Sequence, residues 1–392
     1  MPFRPTLLGA ALGALLAAMP AFAQSPIQLR VAGHFTSNSR HTEGIERPFF
    51  NGLSQATGIN LAITFNPMDQ VGAAAPDALR HLRNGTFDVM SVLIGQTARD
   101  EPFIDSLDLM GVSTTLEETQ QAIAGGREAL DRRLQERFNA KVMTLWPFGA
   151  QMFFCNRPVA SMGDLRGLKV RSYTPTMSAL LQSLGATPVT LQLSETYQAL
   201  QRGTVECGIT SATSAYTANW GEVIRTILPV SLASGVQGHF MSLNAWRRFN
   251  PEQQAALTRA FADLEKQMWD LARRASNEAF ACFQGQDACT TRKFNVQVVA
   301  PPAEDERRVR EAVTAVVLPS FRDSCNRVWA DCARVWNDSV GKARGYTIPW
   351  YGNRFRHAAP RPRDLGHGGR SHEARGGSRC AACGARSWHV LD

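Results

Sequence analysis

Residues 164–209, DLRGLKVRSYTPTMSALLQSLGATPVTLQLSETYQALQRGTVECGI, admit few folds. They read as strand, helix, strand, helix, strand. LKVR alternates and puts Val170 in a sheet, and Pro175 can open the helix PTMSALLQSLG, with Gly185 beyond its end. PVTLQL is the next strand. Ser194 is the expected N-cap of ETYQALQRG, Gly203 closes that helix, and VECGIT returns to the sheet. Arg171 then falls at the carboxyl end of a strand, where open α/β sheets keep their ligands. Its guanidinium holds its charge and offers a planar fork of donors that matches a carboxylate.

The segments before this stretch repeat the pattern. IQLRVAG (residues 27–33) alternates as a first strand, and a loop leads into a helix around residues 44–57. LAITF, a helix centred on residues 77–83 and NGTFDVMSVLIG complete a βαβαβ order, which predicts a parallel sheet. A helix over residues 116–138 precedes the strand KVMTLWP. Asn250-Pro251-Glu252 is a strong helix start, and no breaker follows before about Phe283. A helix of some thirty residues runs ~45 Å, long enough to lie as a strut across two lobes.

Both ends differ from this body. Arg4, the apolar run LLGAALGALLAAM and Ala21-Phe22-Ala23 make residues 1–23 a secretory signal peptide, so the mature chain is expected in the periplasm. From Gly352 onward eight arginines and three acids put +5 of the formal +8 charge in a tail rich in Gly, Ser and Pro. That composition cannot bury enough apolar surface to fold alone, so residues 351–392 read as a disordered basic tail. The body is only mildly basic and has no basic stripe, which argues against a nucleic-acid partner. Cys380-x-x-Cys383 with the tail histidines fits no compact zinc finger, and no metal or cofactor is expected.

Six further cysteines in an exported chain suggest disulfides before metals. Cys155 and Cys207 lie in apolar strand-like runs and read as buried free thiols, with pairing across neighbouring strands as the alternative. Cys282 and Cys289 can close a local loop, or each can pair with a later cysteine. Cys325 and Cys332 share a helical pattern; seven residues span roughly 10.5 Å, too far for a bridge in a straight helix.

The central stretch, with NRPVASMGDLRGLKVR before it, resembles the signature of the solute-binding proteins of tripartite ATP-independent periplasmic (TRAP) transporters. VAGHFTSNSRHTEG is similar to that family's opening strand and ligand loop, DALRHLRNGTFDVMSV to its next element, and NPEQQAAL to the start of its connecting helix. The resemblance covers about residues 27–346. It implies an α/β, type II-like periplasmic binding protein of two lobes, bridged by the long helix. Lobe I is expected over residues 24–148 plus 237–276, and lobe II over 149–236 plus 277–350. It also implies a monomer that closes on a small organic acid anion and delivers it to membrane permease subunits.

Carried over residue by residue, Arg171 matches the arginine that clamps the substrate carboxylate. Gln151 stands where many members have a second arginine, so a dianion held by two guanidiniums is not expected. Thr210 falls near the usual asparagine, and Phe35 near the ligand in the opening loop. Leu93 replaces a polar residue of the sugar-acid binders. The pocket therefore suits a monocarboxylate with an apolar or aromatic portion. Leu193, Tyr216 and Trp220 complete the expected ligand-binding set, and Trp146 and Phe148 lie near the crossover between lobes. Catalysis is not expected: both strand cysteines sit in apolar runs, which raise a thiol pKa, and no nucleophile elbow, H-E-x-x-H or phosphate loop is present. A binding protein serving another importer or a periplasmic sensor is the alternative, and the long strut argues against it.

Overall fold

The computed structural model describes residues 25–349. The expected signal peptide (residues 1–23) and the expected basic tail (residues 351–392) lie outside the described residues. No described helix is long and apolar enough to cross a membrane.

The chain begins with β1 (Ile27–Gly33), a run of short helical turns from Thr36 to Glu46, and α1 (Arg47–Thr57). The helical path therefore starts earlier than residue 44, through a π-turn at Thr42–Glu46. β2 (Leu61–Pro67), α2 (Ala78–Asn84), β3 (Val89–Leu93), α3 (Leu116–Phe138) and β4 (Ala140–Pro147) follow. Thr115 and Glu118 cap α3 reciprocally, satisfying two backbone donors at its start. The second unit holds β5 (Met152–Cys155), β6 (Lys169–Ser172), α4 (Pro175–Ser183), β7 (Thr187–Thr190), α5 (Leu193–Gln201), β8 (Cys207–Thr210), α6 (Ala212–Thr217) and β9 (Thr226–Leu228). The chain then returns through β10 (Val236–Ser242), continues into α7 (Pro251–Phe283), and adds β11 (Gln297–Val298) with α8 (Ala303–Ala312), α9 (Leu318–Val328) and α10 (Cys332–Trp336).

Two mixed sheets result, one per lobe. The first has the order β2-β1-β3-β10-β4, and the second β11-β9-β5-β8-β6-β7. β1 pairs in parallel with β2 and β3, as the βαβαβ order requires, and β10 runs antiparallel between β3 and β4. In the second sheet β6 is parallel to β7 and β8, while β5 is antiparallel to β8 and β9. α7 carries the chain across to β11 late in the sequence, but the strand inserted into each sheet arrives from the other lobe through one of two extended crossings.

Those crossings are hydrogen-bonded to each other. Gln151 N donates to Ala233 O at 2.8 Å, and Leu232 N donates back to Gln151 O at 2.9 Å. The paired segments turn at Gly149 (φ 114°) and Gly235 (φ 66°), both in conformations that side chains rarely adopt. A Cβ on Gly235 would also sit 2.5 Å from Gln151 Nε2. The Asp108 carboxylate accepts from the backbone N–H groups of Ser234, Gly235 and Val236 at 3.0–3.1 Å, and so fixes the second crossing.

The long helix forms as its start signal implies: Asn250 caps it, Pro251 opens it, and it continues for 33 residues, about 50 Å. It packs on β4 and α1 of the first lobe and on α6 of the second. Trp269 Nε1 donates to Leu145 O at 3.0 Å, and Phe283 at the far end meets Phe154 and Tyr216 of the second lobe.

Three expectations change, and one open alternative is decided. Cys155 and Cys207 are not free thiols. They are directly opposed on β5 and β8 with Cα atoms 4.0 Å apart, and they form a disulfide. Cys325 and Cys332 also pair, across a Cα distance of 5.8 Å, because the helix does not run straight. It breaks at Trp329 (φ −146°, ψ 106°), whose ring packs edge-on against Phe103 and beneath the Arg133 guanidinium. No glycine or proline marks that break. Cys282–Cys289 closes the local loop. Finally, α5 starts at Leu193 with Gln192 as its cap, not at Ser194: Gln192 N donates to Glu195 Oε2 at 2.8 Å.

Candidate functional site

β1, β3, β6 and β8 all end toward the opposite lobe, and the residues at those ends line a small cavity. Phe35 and His34 follow β1, Leu93 ends β3, and Arg171 and Tyr173 lie at the end of β6. Thr210 ends β8 and Ser214 lies on α6, while Phe148 and Gln151 come from the first crossing and Leu193 from the start of α5. Asn38 and Gln96 complete the wall.

Arg171 is 2% exposed. Its Nε donates to Leu191 O at 3.0 Å and its Nη1 to Ile209 O at 2.6 Å, so two main-chain carbonyls aim the guanidinium. The Tyr173 ring lies 4.8 Å from its Cζ. Among the described residues no carboxylate comes within ion-pair distance. Burial pulls its pKa down to about 10, against weaker opposing contributions from Tyr173 and Glu195, and the group remains positive at neutral pH. A buried cation without a counter-charge is costly unless something negative joins it.

Gln151, in place of a second arginine, is held from both ends. Its Nε2 donates to Gly149 O at 2.9 Å and its Oε1 accepts from the Tyr173 hydroxyl at 3.0 Å. It braces the crossing and adds no charge. The cavity wall therefore carries one formal positive charge, and Phe35, Leu93, Phe148 and Leu193 supply its apolar part.

Five of the seven residues expected at the site meet here: Arg171, Gln151, Phe35, Thr210 and Leu193. Tyr216 and Trp220 do not line the cavity. The Tyr216 hydroxyl hydrogen-bonds Thr291 Oγ1 at 2.6 Å and Arg292 O at 3.0 Å, and its ring packs on Phe283 and Phe294. Trp220 is fully buried against Phe154 and the flat face of Gly208, where a Cβ would lie 2.7 Å from the indole. Both belong to the second lobe's apolar core. Phe148 reaches the cavity, whereas Trp146 stacks on His41. His34, Asn38, Gln96, Tyr173 and Ser214 were missed, although His34, Gln96 and Tyr173 all sit just past strand ends, the same signal that marked Arg171.

A deeper network supports the β1 side. Glu46 Oε2 accepts from His34 N at 2.8 Å and Glu46 Oε1 from His239 Nε2 at 3.0 Å. Burial alone would raise the Glu46 pKa, but the His239 hydrogen bond and charge interactions with His239 and His34 hold it at about 2. His34 and His41 are both fully buried, and desolvation pushes them down to about 4 and about 3. Both imidazoles are neutral at physiological pH.

The lobes also touch through polar contacts. Gln96 Nε2 donates to Gln192 Oε1 at 3.1 Å, and Thr176 at the start of α4 donates to Asp105 Oδ2 at 2.7 Å. Burial, with a smaller push from Asp108, drives the Asp105 pKa up to about 8 despite the Thr176 bond. A carboxyl raised in the folded state stabilises the fold at low pH and loses that contribution as pH rises toward its folded pKa. Between pH 6.5 and 8 the Asp105 contribution should therefore fall by up to about 2 kcal/mol, offset in part as the unfolded histidines, half protonated at pH 6.5, lose their protons. Urea unfolding of Asp105→Asn over the same range should show a flatter dependence. Parallel curves for the two proteins would mean that Asp105 is ionised throughout. Among the described residues no cluster of His, Cys, Asp and Glu could hold a metal ion.

This architecture has close counterparts. The family model described as bacterial extracellular solute-binding protein, family 7 (DctP) matches residues 32–323. A solute-binding protein of Albidiferax ferrireducens is 26% identical over 218 residues, which is 55% of this chain and 57% of that protein. An extracytoplasmic solute receptor of Bordetella pertussis, solved with pyroglutamic acid, superposes with a TM-score of 0.71 at 20% identity, over 80% of this chain and 99% of that one. A TRAP periplasmic solute-binding protein of Shewanella oneidensis with bound succinate gives a TM-score of 0.69 at 16% identity, covering 82% of this chain and 100% of that one. With that match spanning both sheets and the strand ends between them, the chain belongs to the family 7 bacterial extracellular solute-binding proteins.

Proposed function

We propose that this receptor captures a small organic monocarboxylate in the cavity at Arg171 and hands it to TRAP permease subunits. The observation that carries the reading is the buried guanidinium, oriented by two carbonyls and free of any described acid. A carboxylate entering there pairs with the remaining donors of the fork. The bound acids of the structural neighbours, pyroglutamic acid and succinate, support a carboxylate. Gln151, tied to Gly149 and Tyr173, supports one carboxylate over two. Phe35, Leu93, Phe148 and Leu193 then cover the apolar part of the solute, and Thr210 adds a hydroxyl.

Closure follows the two-lobe logic: the lobes, drawn at residues 24–148 plus 237–276 and 149–236 plus 277–350, rotate about the paired crossings, and the closed state gains the solute's contacts with both. Export through the signal peptide of residues 1–23 would deliver the protein to the periplasm. Native mass spectrometry of the freshly purified full chain tests the reading. The expected result is a small singly charged organic acid released on denaturation, and recovery of a non-acidic solute would sink it.

A further inference from the structure

Two residues of the cavity wall each carry a buried polar atom without a protein partner, and the two atoms are complementary. Of the buried side-chain nitrogens and oxygens that lack a hydrogen bond among the described residues, His34 Nδ1 and Gln96 Oε1 belong to residues that line it. His34 is 3% exposed and Gln96 7%. Their other polar atoms are engaged: Asn38 Nδ2 meets His34 Nε2 at 2.7 Å, and Gln96 Nε2 donates to Gln192 Oε1 at 3.1 Å. Asn38 Nδ2 is a donor, so His34 Nε2 accepts, and a neutral imidazole then carries its hydrogen on Nδ1. One wall atom thus offers a hydrogen bond and the other requires one. Buried groups of this kind are costly to leave unmade, and a site built around them rejects analogues that lack the matching atoms.

Resting on the carboxylate reading above, we propose that the solute is a monocarboxylate that also bears an amide-like or hydroxyl group, which donates to Gln96 Oε1 and accepts from His34 Nδ1–H. Arg171 fixes the acid end, and these two residues set specificity at the other polar position. A plain alkanoate leaves both wall atoms unpaired. An oxo acid satisfies His34 alone. Gln96 also bonds Gln192 across the lobes, so a solute held by Gln96 is coupled to the contact that closes over it.

The test uses pairs of acids that differ by one donor: pyroglutamate against 3-oxocyclopentanecarboxylate, N-acetylglycine against levulinate, and lactate against 2-methoxypropionate. Titration calorimetry of the wild-type full chain should find the donor-bearing acid at least tenfold tighter in any pair that binds, and Gln96→Leu should bring that ratio toward one. Equal affinities within the binding pairs, or a ratio unchanged in Gln96→Leu, overturn the proposal while leaving the carboxylate reading intact. If none of the six acids binds, the solute recovered by native mass spectrometry decides. A monocarboxylic acid with a second N–H or O–H group supports the proposal, an acid without one overturns it, and a solute with no carboxylate overturns the underlying reading as well.

Discussion

Arg171→Ala should weaken solute binding about 100-fold or more, with little change in the fold of the unliganded protein. The expectation follows from burial: a carboxylate that enters the cavity leaves water, and without the guanidinium it has no counter-charge, a loss on the order of 3–5 kcal/mol. Arg171→Lys should recover only part of the affinity. An ammonium lacks the fork, and it cannot reproduce both anchoring bonds to Leu191 O and Ile209 O while presenting a planar pair of donors to the solute. Titration calorimetry of both variants with the acid found on the purified protein measures this. Wild-type affinity in Arg171→Ala would remove the residue from the site.

Glu46→Ala should cost about 3–5 kcal/mol of unfolding free energy, read from urea titrations at pH 7. The carboxylate is wholly buried and serves two lobe I elements at once, His34 N after β1 and His239 Nε2 on β10. His239 is itself locked, its Nδ1 2.7 Å from Thr144 Oγ1 and its backbone N–H donating to the same hydroxyl at 2.9 Å. Alanine strands donors from both sides and leaves a hole beneath Gly33, whose missing side chain is what lets Phe65 and Glu46 approach. Glu46→Gln keeps the shape and an acceptor, so it should lose distinctly less. Equal losses in the two variants would assign the effect to the charge and not to packing.

The parts of the fold that were legible are those governed by local rules. β6 through β8 could be read because alternation, proline and glycine act within a few residues of where they stand, and α7 because its cap and its unbroken pattern are both local. The failures have a common cause in tertiary contact. Nothing near Trp329 stops a helix; the indole docks on Phe103 and Arg133, more than 190 residues earlier, and the backbone follows. Cys155 and Cys207 looked like buried thiols because strand register, which sets them face to face, is a property of the assembled sheet. At the site, strand-end position identified Arg171, and the family resemblance identified Thr210. Tyr216 and Trp220 were assigned by residue type alone, and their rings close the second lobe's core instead. His34 and Gln96 carry no signal beyond position, since their significance lies in which polar atoms the folded protein leaves unpaired.

The continuous α7 has a mechanical implication. A single rod seated on β4 and α1 at one end and against Phe154 and Tyr216 at the other does not let the halves part freely. Swinging them apart must either bow the rod or drag its grip across one of them, and the Arg40–Glu278 ion pair resists the second. If the lobes part as the proposed closure cycle requires, the helix acts as a leaf spring whose bending stiffness, set far from any solute atom, contributes to how readily the receptor gapes and lets its cargo go.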